Sequence, residues 1–163
     1  MNHLFFEDTV YVSDKQTQAE VFEEVYTDLV EKKLVTKDFL TNLLEREAHY
    51  PTGLDLSPVS NALPNIAIPH TESTFVKATR IIPIKLKREL TFHNMISPES
   101  TISVSFLFMI LNENGEAQAG MLAQIMDFIN SVDNDALSAF FNLEDTSAIY
   151  QFLEQHFHTG DSV

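Results

Sequence analysis

The segment Thr101–Leu111 is the feature that most constrains the fold of this chain. Its first residues alternate between polar and apolar side chains, and residues 106–111 are all apolar. A strand that is buried on both faces shows such a continuous apolar run, whereas a strand with one solvated face keeps the alternation. The run is far shorter than the ~20 residues that a membrane-spanning helix needs. We therefore predict that this segment is the central strand of a sheet that is covered on both faces.

Three further segments are predicted to be strands. Residues 5–12 are rich in Phe, Val and Tyr, and residues 65–68 form a short apolar segment after a stretch that contains several prolines. In residues 82–87, apolar side chains alternate with polar ones and with Pro83. Proline cannot donate a hydrogen bond to a neighbouring strand, so Pro83 favours a sheet edge or a bulge for this strand.

Five segments carry helical signals. Thr17 and Glu20 have the spacing of a capping box, which predicts a helix from there to about residue 33. Thr36 is predicted to cap a second helix, and Asp145 or Thr146 opens the last one after a short fourth helix. The third helix carries a clean stripe of apolar residues, Leu122, Ile125, Met126 and Ile129. Strands interleaved with helices predict an α/β fold, a single layered domain with a mixed β-sheet flanked by helices on both faces.

Length and composition limit the domain count and the compartment. A chain of 163 residues has room for one core of ordinary size, and no linker-like stretch divides it, so we predict a single domain over residues 1–163. The chain has no cysteine, which excludes disulfide bonds, thiolate zinc sites and a cysteine nucleophile. A small fold without disulfides favours a reducing compartment, and we predict the cytoplasm.

The net charge of the chain limits the classes of partner that it can be expected to bind. Lysine and arginine total 10 and aspartate and glutamate total 24, which gives a net charge of −14. Such a chain would repel the phosphate backbone of a nucleic acid, so a protein partner with a basic face is favoured. The first ten residues have neither a basic region nor a long apolar stretch, so no signal peptide is expected. Any membrane association is therefore expected to come through another protein and not by direct insertion.

His70 is the leading candidate for a reactive group. Without cysteine, the six histidines are the side chains best suited to act as nucleophiles near neutral pH. His70 follows residues 65–68 directly after Pro69, whose ring restricts its own backbone, so the imidazole is expected to be held in place. From residue chemistry alone, a structural and a functional role for His70 both remain open. The other five are expected to be solvated or to complement helix ends: His3, His49, His93, His156 and His158.

Several enzyme classes and a metal site are excluded by missing motifs. The chain has no H-E-x-x-H, no glycine-rich phosphate loop and no G-x-S-x-G elbow. His70 and Glu72 could offer only two metal ligands, one fewer than a catalytic zinc ion normally has. We therefore expect no metal site in this chain.

Three motifs in the middle of the chain resemble a known signature. They are REA at residues 46–48, YPTGL at residues 50–54 and NIAIPHT at residues 65–71. In order and spacing they resemble the enzyme IIA components of the fructose/mannitol type from the bacterial sugar phosphotransferase system. The similarity runs from about residue 10 to residue 157, and it implies the mannitol/fructose-like IIA fold for the chain.

The resemblance implies roles for several residues. In that family the histidine that matches His70 accepts a phosphoryl group, and the arginine that matches Arg46 helps to hold the phosphohistidine. A guanidinium group suits phosphate oxygens and keeps its charge at working pH. From residue type alone, a surface ion pair between Arg46 and a neighbour such as Glu47 is an equally open interpretation. The hydroxyl groups of Thr52 and Thr71 are further candidates for contact with the phosphate.

Gln118 marks a departure from one branch of the family. The mannitol branch has a second active-site histidine just before the helix that matches residues 121–129, and Gln118 stands at that position here. The galactitol-type branch has glutamine there, so the resemblance points to a galactitol-like IIA protein. A glutamine can donate a hydrogen bond to a phosphate oxygen but supplies neither charge nor a proton. A solvated turn residue is the alternative interpretation of Gln118.

The resemblance also implies partners. Family members accept the phosphoryl group from the histidine-containing phosphocarrier protein and pass it to a cysteine of a IIB component, which serves a membrane IIC component. Alignment and charge stabilisation suffice for this transfer, so no cofactor and no metal ion are expected. Two alternatives remain open at this level: a nitrogen-type regulatory IIA domain, and a pure interaction module in which His70 is not phosphorylated.

Overall fold

A computed structural model describes residues 3–157, and the strands of this part form one five-stranded sheet. The strands lie in the order β1-β4-β5-β3-β2, and β5 pairs antiparallel with β4 and parallel with β3. The sheet is therefore mixed, with β5 at its centre, and both predictions are confirmed. The five strands are β1 Tyr11–Ser13, β2 Gly53–Leu54, β3 Asn65–Ala67, β4 Arg80–His93 and β5 Thr101–Leu111.

The side chains of β5 divide between two hydrophobic clusters, one on each face of the sheet. Phe106, Phe108 and Ile110 pack on one face, and Leu107, Met109 and Leu111 pack on the other. All six are at most 1% exposed. The double burial explains why the last half of this strand lacks alternation, because neither face of it meets water.

Helices cover both faces of the sheet, as predicted. Residues of α1 (Gln18–Glu31) and α2 (Phe39–His49) join the cluster of one face. Residues of α3 (Gln118–Ser131), α4 (Asn134–Phe141) and α5 (Thr146–His156) join the cluster of the other. Among residues 3–157, no helix combines the length and the apolar character that crossing a membrane requires.

The helix boundaries confirm two predicted caps and correct a third. The N–H of Glu20 donates to the hydroxyl oxygen of Thr17 (3.1 Å), and Asp145 caps α5 in the same way. The prediction for Thr36 was wrong, because α2 begins at Phe39 after Asp38. The N–H of Thr36 donates to the carbonyl of Phe75 (3.0 Å). Thr36 therefore makes a strand-like contact and does not cap the helix.

The buried stripe of α3 differs in part from the predicted one. Leu122 and Met126 are half-buried, and their places in the core are taken by Met121 and Phe128. The ring of Phe128 lies against the core phenylalanines Phe108 and Phe140, so the buried face of the helix is turned towards Phe128. The buried residues of α3 are Met121, Ile125, Phe128 and Ile129.

The predicted strand over residues 5–12 was also wrong in its extent. Glu7–Thr9 form a 3-10 turn in which the N–H of Thr9 donates to the carbonyl of Phe6, and β1 begins only at Tyr11. Leu4 still lies beside β4, because its carbonyl accepts from the N–H of Ile81 (2.9 Å). Residues before and after this turn therefore both lie beside β4, and the turn divides the segment between them.

Pro83 lies neither on an edge strand nor at the bulge, so that prediction was wrong. β4 is the second strand of the sheet, and its register with β5 shifts only between Lys85 and Leu90. N–H groups two residues apart in a strand face the same neighbour. Pro83 therefore faces the gap between the contact of Leu4 with Ile81 and the first pair of β1, Tyr11 with Ile84, where no donor is needed.

The irregular register of β4 and β5 shapes the end of their hairpin. A bulge bends its strand, and the tip of the hairpin contacts β2, where the N–H of Met95 donates to the carbonyl of Gly53 (2.8 Å). A Cβ atom at Gly53 would lie 2.6 Å from the carbonyl oxygen of His93. Only glycine allows this close approach of two backbones.

We expect Gly53→Ala to lower the free energy of unfolding by about 1–3 kcal/mol, because the new methyl group clashes with backbone that cannot move cheaply. Gly120→Ala is the matched control. A Cβ there meets no atom within 4 Å, so the same substitution in α3 should raise stability by about 0.5 kcal/mol. Chemical denaturation of both variants measures the difference, and equal stabilities would contradict the close approach at Gly53.

Candidate functional site

His70 continues the line of β3 beyond its last residue. The N–H of Ile110 in β5 donates to the carbonyl of Pro69 (3.0 Å), and His70 forms an isolated parallel bridge with Ile110. The segment before His70 is held on its other side by β2, because the N–H of Ile68 donates to the carbonyl of Thr52 (3.2 Å). The backbone that carries the imidazole is therefore fixed from both sides.

One nitrogen of the His70 ring has a defined partner. Nδ1 lies 2.9 Å from the carbonyl oxygen of Ile68. A carbonyl oxygen can only accept, so Nδ1 carries the proton and Nε2 carries the lone pair in the neutral ring.

The imidazole of His70 borders an open depression of about 450 Å³, named here the His70 depression. Residues from six parts of the chain form its wall: the end of α2, the segments around β2 and β3, the tip of the β4–β5 hairpin, the end of β5 and the start of α3. The lining residues are Tyr50, Pro51, Thr52, Ile68, His70, Met95, Ile110, Gly115, Glu116, Gln118, Ala119 and Leu122.

The surface beside the His70 depression is unusually apolar. Among residues 3–157, the large hydrophobic side chains that are strongly exposed are Tyr50 at 65% and Ile96 at 83%. Tyr50 lines the depression itself, and Ile96 directly follows Met95, which also lines it. Exposed apolar groups that cluster beside a cleft are typical of a surface that contacts another molecule.

The surroundings of His70 favour its neutral form. Burial lowers the pKa of His70 from its ordinary value of 6.5, because the half-buried imidazolium loses hydration. The hydrogen bond to the Ile68 carbonyl acts in the opposite direction, and the positive charge of Arg46 lowers the pKa further. A neutral imidazole with a free Nε2 is the form that can act as a nucleophile near neutral pH.

Arg46 lies in the last turn of α2, close enough for its charge to affect the pKa of His70. Its guanidinium carbon lies 4.8 Å from the centre of the Tyr50 ring. Within residues 3–157, Arg46 forms no ion pair with Glu47 or with another acid, and its Nε atom is buried without a hydrogen-bond partner. The guanidinium therefore has unused donors in the neighbourhood of His70.

Gln118 is placed in the wall of the His70 depression at the first residue of α3. Its Oε1 atom is 3.5 Å from the amide nitrogen of Asn112, which leaves its own NH₂ group as a donor. The side chain is half-buried and not fully solvated. His70 and Gln118, which are far apart in the sequence, therefore line the same depression.

Thr52 and Thr71 are both buried, but their hydroxyl protons are engaged away from the depression. The hydroxyl of Thr52 donates to Glu47 Oε1 (2.7 Å), and the hydroxyl of Thr71 donates to the carbonyl of Glu72 (2.9 Å). Thr52 lines the depression, whereas Thr71 does not. A phosphate could receive either proton only after the present hydrogen bond had broken.

Met95 and Glu47 are among the residues around His70 whose part was not predicted from the sequence. Met95 lines the depression because of where the tip of the β4–β5 hairpin lies, and no pattern in its local sequence predicts this. Glu47 was considered only as a surface partner of Arg46, yet it is 5% exposed and accepts two hydrogen bonds from Thr52. The position of Glu47 in the REA motif was the sequence signal that could have identified it. No group of three or more metal-ligating side chains comes together within the described residues.

The fold and this site define the class of the protein. A mixed five-stranded sheet between two helical layers carries a histidine at the end of β3, beside an arginine from α2. The model of the family described as "Phosphoenolpyruvate-dependent sugar phosphotransferase system, EIIA 2" matches residues 3–156. The chain belongs to this family of phosphotransferase IIA domains.

Individual relatives agree with this assignment. The galactitol-specific EIIA component of Escherichia coli (strain K12) is 25% identical over 122 residues, which cover 75% of each chain. The crystal structure of IIA mannitol from Escherichia coli has a TM-score of 0.71 at 15% identity and covers 93% of this chain and 99% of that one. The complex of enzyme IIAMtl and phosphorylated enzyme IIBMtl from Escherichia coli has a TM-score of 0.65 at 18% identity, with 93% and 95% covered. The solved structures share the fold with this chain.

We expect Arg46→Met to raise the pKa of His70, because the imidazolium then no longer meets a nearby positive charge. Titration of the His70 ring protons by NMR should give a midpoint below 6.5 in the wild type and a higher midpoint in the variant. Arg88→Met is the control, since Arg88 is exposed and contacts the carbonyl of Asp14. An unchanged midpoint in Arg46→Met would contradict the proximity of the two charges.

Proposed function

We propose that this chain is a phosphoryl carrier of a sugar phosphotransferase system, with His70 as the residue that is phosphorylated. It accepts the phosphoryl group from the histidine-containing phosphocarrier protein and passes it to a cysteine of a IIB component, which energises uptake of a sugar or polyol through the membrane IIC component. The galactitol-specific relative and Gln118 favour a galactitol-like substrate for the transport system. We further propose a cytoplasmic location and a single IIA domain over residues 1–163.

The hydrogen bond between His70 Nδ1 and the Ile68 carbonyl is the observation that carries this proposal. It leaves the Nε2 lone pair to attack phosphorus. The Nε2–P bond forms as the bond between phosphorus and the donor's nitrogen breaks, and the proton stays on Nδ1, which continues to donate to the carbonyl of Ile68. In the second step a cysteine thiolate of the IIB component attacks phosphorus, the S–P bond forms, and the Nε2–P bond breaks. Neutral imidazole is restored without a net proton transfer.

Charge stabilisation in this mechanism comes mainly from Arg46. The three oxygens of the transferring group carry negative charge, and the free donors of the guanidinium suit them. The NH₂ group of Gln118, which lines the same depression as His70, supplies a further donor. Thr52 and Thr71 would contact the phosphate only by giving up their present hydrogen bonds, so we assign them the smaller part.

The surface around the depression supports a protein as the phosphoryl donor and acceptor. Tyr50 and Ile96 offer apolar contact area beside the nucleophile, and such residues supply most of the affinity in small interfaces. The net charge of −14 favours a partner with a basic face. The wide opening of the depression allows a second macromolecule to bring its own reactive side chain to His70.

Phosphorylation of His70 is tested by incubation with enzyme I, the phosphocarrier protein and phosphoenolpyruvate, followed by intact mass measurement. We expect one added phosphoryl group in the wild type, none in His70→Ala, and one in His49→Ala, a control in which an exposed histidine of α2 is removed. A label that persists in His70→Ala, or a wild-type protein without label, rejects the proposal. Transfer of the label to purified IIB proteins, the galactitol type among them, then separates transport from a purely regulatory role.

The docking surface predicts a separate kinetic effect. Ile96→Asp should raise the KM for the phosphorylated carrier protein roughly tenfold at unchanged kcat, because it removes exposed apolar area without touching the imidazole. Ala19→Asp adds the same charge at an exposed site of α1, which does not line the depression, and should leave both parameters unchanged. Equal effects of the two substitutions would show that charge alone, and not a surface around Ile96, governs the encounter.

A further inference from the structure

Glu47 is a buried acidic residue to which the proposed mechanism assigns no role. Its carboxylate is 5% exposed, and within residues 3–157 no cation pairs with it. Burial raises the pKa of Glu47, although the two hydrogen bonds from Thr52 oppose this effect. A buried carboxylate without an ion pair costs free energy, which its hydrogen bonds must offset. Its presence therefore calls for an explanation.

The hydrogen bonds of Glu47 lead towards the reactive ring. Its Oε2 accepts from the N–H of Thr52 (2.8 Å), and its Oε1 accepts from the hydroxyl of the same residue (2.7 Å). The carbonyl of Thr52 accepts from the N–H of Ile68, and the carbonyl of Ile68 accepts from Nδ1 of His70. Two residues, Thr52 and Ile68, therefore separate the carboxylate from the imidazole.

Glu47 is also the immediate neighbour of Arg46 on α2. The helix that carries the Arg46 guanidinium therefore also holds, through Glu47, the segment at Thr52 to which the segment before His70 is hydrogen-bonded. A second contact of the same helix supports this arrangement, because the side chains of Asn42 and Glu72 are hydrogen-bonded (3.1 Å), and Asn42 also accepts from the N–H of Glu72 (3.1 Å). The segments before and after His70 are both tied to α2.

We propose that Glu47 is a positioning residue, whose carboxylate fixes the His70 imidazole relative to Arg46 through Thr52 and Ile68. The two hydrogen bonds to Thr52 matter in this role, and the negative charge does not. Phosphoryl transfer depends on the alignment of the attacking nitrogen with the charges that stabilise the phosphate. The inference rests on the proposed phosphorylation of His70 for its kinetic test, but the state of the unphosphorylated ring tests it independently.

Three substitutions at Glu47 separate geometry from charge. Glu47→Ala removes both acceptors. Glu47→Gln removes the charge, but its Oε1 can accept from the N–H of Thr52 while its NH₂ group donates to the hydroxyl oxygen, which can rotate to accept. Glu47→Asp keeps the charge on a shorter side chain that cannot reach both donors.

The readouts are the ¹⁵N NMR spectrum of the His70 ring in the full-length, unphosphorylated protein and the kinetics of phosphoryl transfer. The wild type and Glu47→Gln should show protonated Nδ1 and bare Nε2, whereas Glu47→Ala and Glu47→Asp should show a mixture of the two neutral forms. In these two variants kcat should fall about tenfold or more at unchanged KM. Glu24→Ala is the matched control, since Glu24 accepts from the buried hydroxyl of Ser13 (2.6 Å) between α1 and β1, and it should leave the ring and kcat unchanged.

Two results would overturn the inference. The first is a wild-type ring spectrum in Glu47→Ala. The second is a reversed order of the variants, with Glu47→Asp active and Glu47→Gln impaired, because charge would then be the property that matters. If the wild type is not phosphorylated at all, the proposed function fails, and the ring spectra still decide the role of Glu47. Should Glu47→Ala fail to fold, the comparison of Glu47→Gln with Glu47→Asp carries the same test.

Discussion

The burial of β5 on both faces is the constraint on which the rest of this structure depends. A strand without a solvated face needs a helical layer on each side, and it also needs hydrogen-bonded strands along both edges. β4 and β3 supply these edges, and the pairing with β3 continues past the strand to His70 through Ile110. The hydrophobic core and the placement of His70 therefore have the same origin.

The bend of the β4–β5 hairpin decides how the histidine meets its surroundings. Gly53 permits the backbone of the hairpin to approach β2 closely, and Met95 thereby enters the wall of the depression. The site as a whole is assembled from α2, the β2 and β3 segments, this hairpin and the start of α3. Loops and strand ends carry the variable parts of such a site, while the buried sheet keeps them in register.

The electrostatics of the site assign different tasks to different groups. Burial and Arg46 lower the pKa of His70, which favours the neutral ring. In the proposed mechanism the same guanidinium then faces the negative charge of a phosphoryl group, an interaction that exists only when the group has arrived. Glu47, held next to Arg46 by its position in α2, adds order without adding a charge next to the imidazole, because its oxygens are turned to Thr52.

Local patterns in the sequence determined the central strand, the order of the helices, the caps at Thr17 and Asp145, and His70 as the reactive candidate, since each depends on residues that are close in the chain. The Arg46 assignment came from the motif resemblance. Tertiary structure alone decided the features that depend on distant partners. Pro83 lies inside the sheet because no donor is needed beside it, Thr36 is held by Phe75, and residues 5–12 are divided by a turn next to β4. The hydrogen bond between the N–H of Ile68 and the carbonyl of Thr52 belongs to the same group, because a hydrogen bond between two segments depends on where the whole chain places them.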